Sequence, residues 1–205
     1  MSVQQEVIKY MLVGSNMVGK TSFLSRFCEN NFKSNYEESK GLDFKSKIYN
    51  DGKYRLCIFD TPGAENLRYA SYGFYKSAFG FILIFDLTRP YTLTDLRDDM
   101  TEIARHAPEY AQLIIVGNKS DQYDHHYYKE SQEEAQKMAN ELNIPYFEIS
   151  CLTGQNVDLV IEDLTTRVGN QMKNGNLSNQ SGKQTQNREK DEQIKTEGGC
   201  CCKIF

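Results

Sequence analysis

Between residues 6 and 172 short apolar runs alternate with longer stretches in which apolar side chains recur at helical spacing. Such alternation predicts βα units around a mainly parallel sheet, an α/β fold. Residues 7–13 are apolar-rich and predict a first strand, which Gly14 ends. Residues 20–30 then predict a helix that carries Phe23, Leu24 and Phe27 on one face. Two strand-like runs, 42–49 and 54–59, flank Asp51-Gly52, a pair suited to a tight reversal, and predict an antiparallel hairpin. Residues 81–85, 113–116 and 146–149 are short, apolar and bounded by polar or turn residues, as buried strands are. Two helix starts are predicted where a hydroxyl precedes a carboxylate by three residues: Thr92 with Asp95, and Ser131 with Glu134. Val157, Ile161, Leu164 and Val168 write one apolar stripe, expected to lie on the sheet.

After Met172 the chain turns to Asn, Gln, Lys and Glu, with almost no apolar residues before Ile204. Residues 173–199 cannot bury enough apolar surface to fold, which makes them a tether. The expected organisation is a folded domain over 1–172 and a disordered tail over 173–205. A chain of 205 residues has room for one such domain with a real core, and two would be crowded.

Composition narrows the class. With 39% apolar and 12% aromatic residues the bulk is globular, and a net charge of −4 lacks the basic footprint of a protein that lives on phosphate contacts to nucleic acid. Residues 1–6 show no basic cluster followed by an apolar run, so no secretory signal is read and a cytosolic protein is expected. The longest apolar run, 78–85, is far short of the ~20 residues that cross a bilayer. Of six cysteines, Cys28, Cys57 and Cys151 are scattered among apolar neighbours, as small reduced core residues are. Cys200, Cys201 and Cys202 are consecutive, a layout unsuited to a structural bridge or a zinc site and better suited to lipid attachment.

Three motifs carry chemistry. Gly14-Ser15-Asn16-Met17-Val18-Gly19-Lys20-Thr21 has the spacing GxxxxGK[ST] and falls between an apolar strand and a helix. There, successive backbone N–H groups and the helix N-terminus, which includes Ser22, can cradle a diphosphate. Lys20 would bridge the β- and γ-phosphates and the Thr21 hydroxyl would hold magnesium. Asp60-Thr61-Pro62-Gly63 follows a strand, where the carboxylate suits a magnesium-bound water and the Gly63 amide could meet a γ-phosphate. Asn118-Lys119-Ser120-Asp121 closes another strand. Asp121 can accept from N1–H and the exocyclic amine of guanine, a pair adenine does not offer, while the Lys119 stem packs on the ring. Ser150-Cys151-Leu152 follows the last strand and is placed to cover the same base with backbone N–H groups.

The order of these motifs resembles the Ras superfamily across residues 6–172. The segments Lys40-Gly41-Leu42-Asp43-Phe44, Arg55-Leu56-Cys57-Ile58-Phe59-Asp60 and Tyr72-Gly73-Phe74-Tyr75-Lys76-Ser77-Ala78 are similar to signatures of its Rab branch. The resemblance implies a P-loop NTPase three-layer sandwich: a mostly parallel six-stranded sheet with one antiparallel hairpin and helices on both faces. It implies a monomeric switch that binds GTP or GDP with Mg2+, hydrolyses GTP and recruits effectors in vesicle and membrane trafficking. Phe32 would cap the guanine edge, Tyr36 would close over the phosphates, and Ser39, where threonine is usual, would give magnesium a second hydroxyl. Phe44, Phe59 and Phe74 fall where Rabs carry an aromatic triad read by effectors, the middle one usually tryptophan. Implied partners also include an exchange factor, a TBC-type activating protein, and the Rab escort protein and GDP dissociation inhibitor.

On the family pattern the catalytic positions are Lys20, Ser39, Gly63 and Ala64. The last departs from it, since the family places there a glutamine that orients the attacking water. Slow intrinsic hydrolysis is therefore expected, and a nonhydrolysing, constitutively GTP-bound recruitment module is the alternative. Pro62 stiffens the same loop, Asn16 puts a polar side chain beside the expected γ-phosphate, and Met17 adds bulk to a loop that often has a small residue there. A P-loop ATP phosphotransferase is disfavoured by Asn118-Lys119-Ser120-Asp121. In the tail, two of Cys200, Cys201 and Cys202 are expected to be geranylgeranylated, because one chain holds a membrane only marginally. Which two stays open. A net charge of +2 from residue 173 onward is too small for a polybasic anchor.

Overall fold

The structure is a computed structural model that describes residues 5–32, 42–62 and 71–173. The strands are β1 (Glu6–Val13), β2 (Asp43–Tyr49), β3 (Tyr54–Asp60), β4 (Gly80–Asp86), β5 (Gln112–Asn118) and β6 (Tyr146–Glu148). The helices are α1 (Lys20–Glu29), α2 (Tyr72–Tyr75), α3 (Tyr91–Thr94), α4 (Leu96–His106), α5 (Tyr128–Leu142) and α6 (Val157–Lys173). Among the described residues the six strands form one sheet in the order β2-β3-β1-β4-β5-β6. The pairs β1–β3, β1–β4, β4–β5 and β5–β6 are parallel, and β2–β3 is antiparallel. The α/β expectation therefore holds, including the hairpin: Asn50, Asp51 and Gly52 all take positive φ, and Tyr49 lies opposite Tyr54.

β4 shows why the middle of the sheet is sandwiched. Each of its residues is buried. Phe81, Leu83 and Phe85 join a cluster with Leu96 and Ile103 of α4 and Ala135, Met138 and Ala139 of α5. Ile82 and Ile84 point to the opposite face. That face is held by α6, close enough that a Cβ on Gly80 would lie 3.0 Å from Leu164 Cδ1. Val157, Ile161, Leu164 and Val168, the predicted stripe, are all buried. Each such side chain contributes roughly 1.5–3 kcal/mol by leaving water.

Contacts divide the chain into a compact unit over residues 1–169, which carries the whole sheet, and a second unit from residue 170, of which the structure describes the end of α6. No helix among the described residues is long and apolar enough to cross a membrane.

Both predicted capping boxes are corrected. Thr92 lies inside α3, whose N-cap is Pro90, and its hydroxyl accepts the Asp86 N–H (3.0 Å) and donates to the Arg89 carbonyl (2.7 Å). Asp95 is the N-cap of α4 but makes no capping bond, since its carboxylate is turned toward Ser15. α5 begins at Tyr128, so Ser131 is already within the helix and buried, with no hydrogen-bond partner for its hydroxyl among the described residues. A Ser-x-x-Glu spacing also puts two residues on one helix face, and here packing, not capping, claims the serine.

Candidate functional site

The carboxyl ends of β1, β3, β4 and β5 open on one edge of the sheet, where parallel α/β folds bind their ligands. β1 runs into residues 14–19 and then α1. Two glycines shape this turn. Gly14 has φ 144°, and a Cβ there would sit 2.1 Å from the Ile84 carbonyl oxygen. Gly19 has φ 102°, and a Cβ would meet the Asn118 amide nitrogen at 2.2 Å. The loop thus lies hard against β4 and β5 at two positions that have no room for a Cβ. Lys20, buried at the start of α1, curls back and donates to the carbonyls of Gly14 (2.8 Å) and Ser15 (2.9 Å). Ser15 is buried and Val18 fully so, whereas Met17 is exposed with φ 62°; Ser22 is half-buried in the first turn of α1.

Asp60, the buried last residue of β3, accepts the Thr21 hydroxyl at 2.5 Å. Thr61 beside it donates to the Leu12 carbonyl (2.7 Å), which moors this end of β3 to β1. Asn118 ties the second half of the site to the first. Its amide nitrogen donates to the Val18 carbonyl (2.8 Å) and its oxygen accepts the Cys151 N–H (3.2 Å). Asp121 accepts the Ser150 hydroxyl at 2.5 Å. A carboxylate oxygen has two lone pairs, so acceptor capacity remains. Cys151 is buried, and burial pushes its thiol up to about 12. Leu152 is exposed, and Phe32 is half-buried two residues past the C-cap of α1.

Phe44, Phe59 and Phe74, the positions matched by family likeness, pack together: Phe44 and Phe59 stack at 5.4 Å, and Phe59 meets Phe74 at 5.7 Å. Phe44 and Phe74 are exposed. Tyr36, Ser39, Gly63, Ala64, Cys200, Cys201 and Cys202 lie outside the described residues.

Sequence reasoning missed a third centre, at the end of β4. Asp86 is fully buried, and its Oδ2 accepts Arg89 Nε (2.7 Å) and Lys119 Nζ (2.5 Å). Its Oδ1 accepts the Thr88 N–H (2.9 Å) and hydroxyl (2.7 Å). Burial would raise the Asp86 carboxyl, but the Lys119 ammonium and the Thr88 donors outweigh it and hold the group below its ordinary value. Lys119 itself takes φ 69°, a left-handed turn, and its ammonium lies on Asp86. Arg89 also reaches the Asn16 carbonyl (3.4 Å), and the Ser15 hydroxyl donates to Asp95 (2.6 Å), so the glycine loop is braced from outside by α4 and its approach. The available signal was positional: like Asp60 and Asn118, Asp86 is a polar residue closing an apolar strand.

A sequence profile described as the Ras family matches residues 9–170. Among named relatives, the Ras-related protein Rab-3 of Caenorhabditis elegans is 34% identical over 168 residues, 81% of this chain and 76% of that protein. The human Ras-related protein Rab-27B is 36% identical over 171 residues, 77% of this chain and 78% of its own. The GTP-binding protein Rab-3D of Rattus norvegicus is 35% identical over 168 residues, 81% of this chain and 76% of its own. The chain belongs to the Ras family, as a small GTPase of the Rab type.

Proposed function

We propose that this protein is a guanine-nucleotide switch that takes up GTP or GDP with Mg2+, hydrolyses GTP slowly, and recruits effectors to the cytosolic face of intracellular membranes during vesicle traffic. The observation that carries the reading is the pair of hydrogen bonds made by the Asn118 side chain, which joins the glycine loop at Val18 to the Ser150-Cys151-Leu152 loop. Phosphate-holding and base-holding elements thereby form one rigid cleft. In it the amides of residues 14–19 and the first turn of α1 cradle the phosphates, and Lys20 exchanges its loop carbonyls for phosphate oxygens. Asp121 accepts from guanine, Lys119 lies along the ring, Phe32 caps its edge and residues 150–152 cover it.

The donor set suits a small hard cation: the Thr21 hydroxyl and the Asp60 carboxylate converge at 2.5 Å, and both are oxygen donors. Thr21 and Ser39 would hold Mg2+ directly and Asp60 through its water. When bound, the ion neutralises charge on the β- and γ-phosphates. Tyr36 and Gly63 are assigned to closure over the γ-phosphate. Calorimetry with GDP, with and without magnesium, tests this reading. Magnesium-dependent uptake that ATP does not compete away is the expected result, and absence of uptake would refute it.

Hydrolysis is slow because Ala64 has no amide to orient water. A TBC-type activating protein, which lends both an arginine and a glutamine, would restore the rate. Ala64 also favours the second reading, a nonhydrolysing module that stays GTP-bound. Single-turnover hydrolysis of the wild type with and without activator separates them: turnover by the wild type supports the slow enzyme, and no turnover even with activator supports the module, while equal rates for wild type and Ala64→Gln would remove the role given to this position. Phe44, Phe59 and Phe74 form the effector surface. An exchange factor reloads the nucleotide. Geranylgeranyl groups on two of Cys200, Cys201 and Cys202 anchor the tail, delivered and recovered by the Rab escort protein and the GDP dissociation inhibitor. Mass spectrometry of protein from its native cell checks the lipid, and free thiols throughout would exclude it.

A further inference from the structure

Arg26 sits toward the C-terminal end of α1, outside every motif read in the sequence. Its guanidinium is engaged on three sides by oxygen, and among the described residues no carboxylate pairs with it. Nε donates to the Cys151 carbonyl at 2.9 Å and Nη2 to the Leu152 carbonyl at 2.7 Å. Nη1 reaches the Asn30 carbonyl and Asn30 Oδ1, each at 3.3 Å. Gly154 closes over the stem, with its Cβ position 3.6 Å from Arg26 Cδ. A planar guanidinium can hold two successive carbonyls at once, which a lysine ammonium, a single point of charge, cannot do with the same geometry.

The two segments that Arg26 joins are the ones assigned above to the base. One is residues 150–152. The other is Asn30, the C-cap of α1 at φ 50°, two residues before Phe32. In a trans peptide the N–H points opposite to the carbonyl of the same unit. Holding the Cys151 carbonyl therefore aims the Leu152 N–H away from Arg26, while Asn118 fixes the Cys151 N–H from the other side. Of the amides proposed to cover the base, the Cys151 N–H is thus held by Asn118, and the aim of the Leu152 N–H is set by Arg26.

We propose that Arg26 is a positioning residue for guanine, a clasp from α1 that fixes the aim of the 150–152 amides and the approach of the chain to Phe32. The proposal rests on the nucleotide reading above and adds to it a determinant of base retention that the phosphate-binding residues do not supply. The test uses the full chain, loaded with GDP or with the diphosphate of 2-aminopurine riboside, which lacks the 6-oxo group that covering amides would meet. Fluorescent analogues of both report release by stopped flow. Loss of two charge-assisted hydrogen bonds predicts GDP release from Arg26→Ala about tenfold faster or more, with release of the 6-deoxo nucleotide changed by less than about threefold. Arg26→Lys, which keeps the charge but not the fork, should recover only part of the difference, and it carries the same comparison if Arg26→Ala does not fold. GDP release within about twofold of wild type, or equal acceleration of both nucleotides, would overturn the proposal, since a general loosening does not distinguish bases. Wild-type protein that takes up no GDP would remove the nucleotide reading and this proposal with it, whereas normal uptake with unmoved release removes this proposal alone.

Discussion

Asp86→Asn is the sharpest single test of how the site is held. The change keeps size and shape but removes the charge that Lys119 and Arg89 share at 2.5 Å and 2.7 Å. The amide must also turn a donor toward Thr88 or toward a cation. Removing one partner from a buried ionic cluster costs about 3–5 kcal/mol. Here the cations are 31% and 26% exposed and can regain some hydration, so about 2–3 kcal/mol is expected at neutral pH. The pH dependence has a definite sign. The folded carboxyl is held below its ordinary 3.8, so the unfolded chain takes up the proton first on acidification. The contribution of Asp86 is then complete above the ordinary value and is lost as pH falls toward the folded value, at up to about 1.4 kcal/mol per unit. Chemical denaturation of both proteins at one GDP concentration, from about pH 7 to pH 3, should give a constant gap down to about pH 5 and a narrowing gap below about 4. A gap under about 1 kcal/mol at neutral pH, or one that widens in acid, refutes the assigned role.

Other outcomes follow from the same geometry. Asn118→Ala leaves the Val18 carbonyl and the Cys151 N–H without their partner, which should weaken GDP binding by about 2–4 kcal/mol, or about 30- to 700-fold by calorimetry. A loss below about tenfold would show that the two loops do not depend on this bridge. Gly14→Ala drives a Cβ into the Ile84 carbonyl oxygen at a φ that side chains rarely adopt, so Tm should fall by about 6–12 °C, and a fall under about 3 °C would contradict the packing described. Cys151, buried and with its thiol raised to about 12, should resist maleimide at about pH 8 in the native protein and react after denaturation. Mass spectrometry that finds it labelled within minutes in the native state would place it at the surface.

The strands were legible because each is a short apolar run, and the hairpin because Asp51-Gly52 accepts the positive φ that its turn uses. Local sequence also located the glycine loop, Asp60 and Asn118, since each is a polar or glycine interruption at the end of such a run. What it could not locate are contacts between distant segments. Arg26 carries no local mark, the end-of-strand position of Asp86 does not reveal Lys119, and the spacing of Asp95 from Thr92 does not reveal Ser15; these partners lie 125, 33 and 80 residues away. The capping boxes failed for a related reason. A hydroxyl and a carboxylate three apart describe a helix start and a helix face equally well, and tertiary contacts chose otherwise for Thr92 and Ser131. The aromatic trio was legible through family likeness, whereas its stacking depends on the pairing of β2 with β3.

The bridge from Asn118 to Val18 spans 100 residues and the clasp from Arg26 to Cys151 spans 125. A chain emerging from the ribosome therefore has its first half of the cleft long before the second exists, and loop closure over such separations is slow. The strands of the first half stay without their neighbours until β4, β5 and β6 have been made. α6 follows β6 in the chain, so the face of β4 on which Leu164 packs stays open until the last helix has docked.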